Sequence, residues 1–125
     1  MKKGIRSIED AVSKINRLRG VKFEWRRDDF AEKNLPKGEQ IGLIAQEVEA
    51  VLPEVVMTDA EGFKSVEYSN IVALLIEGMK EQQQTIAAQD EKIRVLQGQM
   101  TQLTELVRSL AAASAERKKT LASNQ

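Results

Sequence analysis

The chain has 125 residues, 42% of them hydrophobic and 30% charged, with Lys+Arg and Asp+Glu equal at 19; this suits a folded protein of one modest domain plus a long helix, and argues against disorder. A zero net charge speaks against a nucleic-acid partner, which a basic excess would mark. No apolar run approaches membrane-spanning length, and no secretory signal pattern opens the chain. Without Cys there is no disulfide or thiolate metal site, and without His the usual general base and most zinc sites fall away, so no cofactor and no metal are expected.

Taken in order, Met1 to Arg6 is a short basic lead-in. Ser7, with Asp10 three positions on, resembles a capping box and opens a helix over 7–19, with Ile8, Val12 and Ile15 at helical spacing and Gly20 as its stop. Val21 to Arg26 alternates strictly, Val21, Phe23 and Trp25 against Lys22, Glu24 and Arg26, which predicts a half-buried strand. Residues 27–40 form a polar loop, long for a connector. Its acidic residues lack the spacing of a calcium loop. Ile41–Ile44 reads as a short buried strand. Residues 45–52 read as a helix with Val48, Val51 and Leu52 on one face, ended by Pro53. Residues 55–68 read as a hairpin, with its turn at Asp59–Gly62. All five aromatics, Phe23, Trp25, Phe30, Phe63 and Tyr68, lie in this part, so residues 1–69 are expected to be the globular part.

From a cap at Ser69 or Asn70 a long helix follows. With position a of a heptad on Val72, the a series is Val72, Met79, Ile86, Ile93, Met100 and Val107. The d series is Leu75, Gln82, Gln89, Leu96, Leu103 and Leu110. All but the two Gln are apolar and no proline intervenes, which is the pattern of a coiled coil over 70–110. Glu77, Glu91 and Glu105 fall at f, and Lys80, Arg94 and Arg108 at b, so opposite charges pair i to i+3 on the outer face. Such a helix is roughly 60 Å long. A chain of this size has no cover for its apolar stripe, so other copies of the chain are implied. In the first turns a wider apolar face, Ile71, Leu74, Leu75 and Ile76, is expected to pack on the globular part. Beyond Leu110 the pattern fades, with Ser114 and Arg117 next at a and d, and residues 111–125 are expected to be a frayed tail. The fold class is therefore α+β: a small helix and strand part followed by a long C-terminal helix.

Ile41 to Val56, IGLIAQEVEAVLPEVV, closely resembles the signature of the C-terminal intramolecular chaperone domain of phage endosialidases, also called the peptidase S74 domain. Val66 to Lys80 is similar to that family's strand leading into its trimeric helix, and Lys2 to Ala11 to its opening helix, where Asn is commoner than Gly4. The resemblance implies a domain at the C-terminus of phage tail spikes and tail fibres. Such a domain forms a parallel homotrimer, assists folding of the β-rich stalk ahead of it in its own parent chain, and is released by self-cleavage. From the charge balance and the lack of a long apolar run, no nucleic-acid or membrane partner is expected. The location implied is a virion tail precursor made in the host bacterial cytoplasm. The cut of such domains falls just before a Ser, and a Lys shortly after it completes a Ser-Lys dyad. By the motif Lys2 falls on that Lys, and the Ser lies upstream of Met1. This stretch alone is thus expected to cut nothing.

A dyad Lys must be neutral to accept the hydroxyl proton, and a free Lys titrates near ~10.4, so burial or neighbouring cations must lower it. Lys3 and Arg6 are near enough in sequence to contribute; a solvated Lys2 is the plain alternative. Ser7 reads as a helix cap rather than a nucleophile. Gln46, Glu47 and Glu49 read first as the wet face of a short helix and second as acid–base carboxylates. Gln82 and Gln89 are either tolerated polar residues or stacked layers that fix register and parallel alignment at a cost in stability. Ile at a with Leu at d nominally favours two strands, so the trimer follows from the resemblance and not from the seam. The alternative function is a plain coiled-coil oligomerisation module of a dimeric regulatory or structural protein.

Overall fold

The structure, a computed structural model, describes residues 1–124. The chain divides into two compact units, Met1–Gln82 and a second beginning at Gln83. In the first unit α1 (Ala11–Asn16) leads to β1 (Val21–Phe23), which pairs antiparallel with β2 (Gln40–Gly42). Next come α2 (Ala45–Val51), a 3-10 turn at Pro53–Val55, and an antiparallel hairpin of β3 (Val56–Thr58) and β4 (Lys64–Val66). The last element, α3, is helical over Tyr68–Ser123. Among the described residues each sheet has two strands. A small sheet and helix part with one long C-terminal helix is an α+β arrangement.

The core of the first unit is small. Ala11 of α1, Val48 of α2, Leu52, Val55, and Ile71 and Leu74 of α3 are buried, with Ile15, Leu18, Leu43, Val56 and Val66 packed around them. The faces follow from helical spacing. Ile71, Leu74 and Gly78 lie at i, i+3 and i+7, which places them on one side of α3, and they are the buried residues of that helix. Gly78 is small because α1 comes close. A methyl group there would collide with the Ile15 side-chain tip and touch Ala11 Cβ at 3.9 Å. A glycine inside a helix costs about 0.5–1 kcal/mol relative to alanine, and here the close approach of α1 offsets that cost.

Several elements are shorter than their sequence patterns. The helix expected over 7–19 occupies Ala11–Asn16, because Asp10 takes a left-handed conformation, φ 54° and ψ 39°, that interrupts it. Ser7 therefore lies outside the helix and caps nothing. The strand expected over 21–26 stops at Phe23, and the Arg27 N–H turns back to donate to Trp25 O at 2.9 Å. Ile41 was expected to be buried and is 80% exposed: β2 has β1 as its single neighbour, and Ile41 sits opposite Lys22 on the outward side. Within the loop, a 3-10 turn forms at Ala31–Lys33. Arg27 Nε donates to Leu35 O at 3.1 Å, the Phe30 and Phe63 rings meet edge to face at 5.5 Å, and Lys33 pairs with Glu61 at 3.1 Å. The first of these braces the loop internally, and the other two hold it against the β3–β4 hairpin. The hairpin turn is closed by Asp59, whose Oδ1 accepts the N–H groups of Glu61 and Phe63 at 2.9 and 3.0 Å, while Gly62 supplies a φ of 88°.

α3 starts earlier and ends later than its sequence signals. Glu67 O accepts the Asn70 N–H at 3.0 Å, so the first turn begins at Tyr68 and places Ser69 and Asn70 inside it. The stretch expected to fray is helical to Ser123. It holds no Gly or Pro, and its alanines and charged residues are good helix formers.

The burial pattern yields a contrast between neighbours. Leu74→Ala should cost about 2–5 kcal/mol of unfolding free energy. Leu75→Ala, whose side chain is 44% exposed, should change the stability of the dissociated chain by less than about 0.5 kcal/mol. Urea unfolding of both variants at high dilution checks this; equal losses would mean that the inward face has been misassigned.

Candidate functional site

In its first turns α3 carries two apolar faces side by side. Ile71, Leu74 and Gly78 turn inward, while Val72, Leu75 and Met79 are exposed at 53, 44 and 72%. Residues along a helix step by about 100°, so a single turn cannot aim Leu74, Leu75 and Ile76 at one neighbour. Leu75 and Ile76 accordingly do not join the core of the first unit, contrary to the sequence expectation. In the second unit Ile86, Gln89, Ile93, Leu96, Met100, Leu103, Val107 and Leu110 are likewise exposed, as is Gln82 at the end of the first. Apolar side chains left in water at heptad spacing form a surface without a partner inside the chain.

Three charge pairs of α3 lie away from this surface. Glu77 pairs with Lys80 at 3.3 Å, Glu91 with Arg94 at 2.8 Å and Glu105 with Arg108 at 2.9 Å, each i to i+3. These exposed pairs contribute little individually, about 0.3–0.5 kcal/mol. Their effect is placement: they occupy the outer face and keep the seam free of charge.

Tyr68 was missed from the sequence, where it read as the end of a strand. It stands seven residues before Leu75 and is the first residue of α3, which extends the d series by one heptad. Its spacing from Leu75 was the available signal. Its hydroxyl accepts the Leu43 N–H at 3.0 Å. Gly42 makes room for it: a methyl there would lie 2.6 Å from Tyr68 Oη and 3.2 Å from Phe23 Cε1. The glycine of the Ile41–Ile44 stretch is thus a clearance for an aromatic side chain from α3.

The carboxylates of α2 are engaged separately. Glu47 accepts two hydrogen bonds from Arg19, at 3.1 Å from Nε and 2.8 Å from Nη2. Those bonds, opposed by desolvation and aided by the charge of Arg19, hold the Glu47 carboxyl below its ordinary range. Glu49 pairs instead with Lys64 of β4 at 2.7 Å, and Gln46 is exposed. Each acid ties α2 to a different neighbour, so the arrangement is structural bracing, not an acid–base couple. Lys2, Lys3 and Arg6 are exposed in the irregular N-terminal segment. Among the described residues no hydrogen bond or ion pair brings Lys2 to another candidate residue. Ser7 lines an open cleft of about 550 Å³ with Arg6, Lys14, Glu54 and Asn70.

Residues 1–57 match the Peptidase S74 family, described as chaperone of endosialidase. Among curated relatives, the long tail fiber protein Gp37 of Escherichia phage AR1 is 33% identical over 76 residues, 59% of this chain and 7% of that protein. The protein of the same name from Salmonella phage S16 is 30% identical over 113 residues, 88% of this chain and 14% of that protein. The chain therefore spans a small fraction of the length of the curated relatives it matches.

The Arg19–Glu47 pair has a pH signature. A carboxyl whose folded pKa is lowered adds stability that is complete above its unfolded pKa, about 4.3, and is lost as pH falls through the folded value. Acid should therefore destabilise the first unit below about pH 4.5, and Glu47→Gln should flatten that dependence. Thermal unfolding from pH 7 down to pH 3 checks it; identical slopes would mean that the pair adds nothing.

Proposed function

We propose that this chain, whose first 57 residues match the chaperone-of-endosialidase family, serves as the assembly domain of a phage tail fibre. It joins three copies through the seam Val72 to Leu110 in parallel and guides folding of the stalk of its own parent chain. The observation that carries this reading is the uncharged apolar seam that the chain itself leaves uncovered. The division proposed is a chaperone part over 1–69 and a trimerisation helix over 70–110, with 111–125 beyond it. The similarity to phage long tail fibre proteins supports a tail protein as the parent, synthesised in the host bacterium. No helix among the described residues is long and apolar enough to cross a membrane.

The logic of such a domain is kinetic. A β-rich fibre must unite distant segments of three chains, which is slow and exposes unpaired strand edges. A helical seam forms from local structure and raises the effective concentration of the chains to be joined. Gln82 and Gln89 at successive d positions mark register: a slipped helix would bury an amide against leucine. Release of the domain after assembly would leave the fibre without its easy route back to separated chains, a form of kinetic stability. In that step we assign Lys2 as the base of a Ser-Lys dyad, accepting the proton of a Ser contributed from the N-terminal side in the longer parent. The exposed position of Lys2 in the single chain fits a site that is completed by additional chain or copies.

Sedimentation equilibrium at micromolar concentration should give three chains; two chains would favour the dimeric rod, and one would remove the seam from the argument. Gln82→Leu with Gln89→Leu should raise the thermal midpoint and broaden the distribution of oligomers. A double variant that is less stable and still purely trimeric would contradict the register role.

Cleavage is tested separately in the parent protein by mass spectrometry. Lys2→Met should abolish release of the domain and leave the trimer intact. Ile86→Asp, which breaks the seam, should abolish both. Efficient cleavage in the Lys2→Met protein would remove Lys2 from the mechanism.

A further inference from the structure

Tyr68 belongs to two systems at once. On α3 it holds the d position one heptad before Leu75, and its side chain is 52% exposed, next in the seam to the equally open Val72. Toward the sheet its hydroxyl accepts the Leu43 N–H at 3.0 Å, over the clearance that Gly42 provides. Gly42 and Leu43 lie in the signature stretch that carries the family resemblance, whereas the seam is a property of the helix. No other seam residue reaches that stretch by a hydrogen bond among the described residues.

We propose that Tyr68 couples association of the seam to the order of the signature strand, so that β2 and the chain leading into α2 become fixed when copies assemble. The inference rests on the seam being a surface for copies of this chain. In the separate chain water competes for both the hydroxyl and the amide, which keeps a hydrogen bond of this kind weak. A neighbouring helix laid on Tyr68 and Val72 covers the ring, excludes that water and strengthens the bond. Coupling of this kind is reciprocal. If association firms the Tyr68–Leu43 bond, loss of the bond weakens association by the same factor. A change on β2, away from the helix, is then felt in the assembly.

Hydrogen exchange at the Leu43 amide of the full chain, above and below its association midpoint by sedimentation, tests the coupling. In the unaltered chain, Leu43 protection should rise on association. Tyr68→Phe keeps the ring on the seam and removes the acceptor; it should abolish that rise and weaken association roughly 3- to 10-fold. Gly42→Ala, a change on β2 that displaces the Tyr68 hydroxyl, should weaken association in the same sense. Equal Leu43 protection in separate and associated chains, or a Tyr68→Phe protein that associates like the original, would overturn the coupling. Should Gly42→Ala fail to fold, Tyr68→Phe decides alone. The seam reading is tested apart from this: an unaltered chain that stays single overturns it and the coupling together, while one that associates with Tyr68→Phe indistinguishable from it overturns the coupling only.

Discussion

A helix with apolar residues on two adjacent faces needs two partners, and α3 finds one of them within its own chain. Ile71, Leu74 and Gly78 take α1, α2 and the turn at Pro53–Val55, and with them close the small core. Val72, Leu75 and Met79 are left facing water. The inward face holds the first unit together, so its residues are fixed by packing against Ala11, Ile15 and Val48. The outward face is free to repeat every seven residues into the second unit. Because the two faces share the same turns of one helix, the folded state of the first unit sets the orientation in which the beginning of the seam is offered to a neighbour.

Much of this was legible in the sequence because it is periodic. The heptad from Val72 to Leu110 and the outer i to i+3 pairs depend on spacing alone, and the pairs at Glu77, Glu91 and Glu105 lie where the spacing puts them. What was not legible depends on neighbours that spacing does not reveal. Leu75 and Ile76 look as apolar as Leu74, and only the position of α1 against Gly78 tells which of them turns inward. Asp10 carries no signal that its backbone becomes left-handed. Ile41 reads as buried because apolar runs usually mark covered strands; in a two-stranded ribbon one side of that strand has no cover. Tyr68 was hidden for the opposite reason, since a residue ending one pattern and beginning another is assigned to the first.

The glycines show how one residue type serves unrelated constraints. Gly62 is needed for its φ of 88° in the hairpin turn. Gly42 is needed for space, because Tyr68 and Phe23 converge on the point a side chain would occupy. From sequence alone Gly62 reads as a turn residue, whereas Gly42 reads only as part of a short strand. The two differ in role: Gly62 shapes a turn, whereas Gly42 sits where the sheet meets the first residue of α3.

Charge on α3 lies mostly away from the positions that flank the apolar seam. Of the residues flanking the seam at e and g between Val72 and Ala113, only Asp90 and Lys92 are charged, and the three i to i+3 pairs occupy b and f. In many coiled coils the e and g charges select partner and orientation; here that means of discrimination is nearly absent. Discrimination then falls to the seam itself, and within it to the amides of Gln82 and Gln89, the only polar residues in its twelve positions from Val72 to Leu110. An amide facing an amide can satisfy its hydrogen bonds, while one facing leucine cannot, and the cost of that mismatch does not fall with salt as a surface ion pair would. Under the proposed assembly, a seam built this way would trade some stability for a register that holds over a wide range of ionic strength.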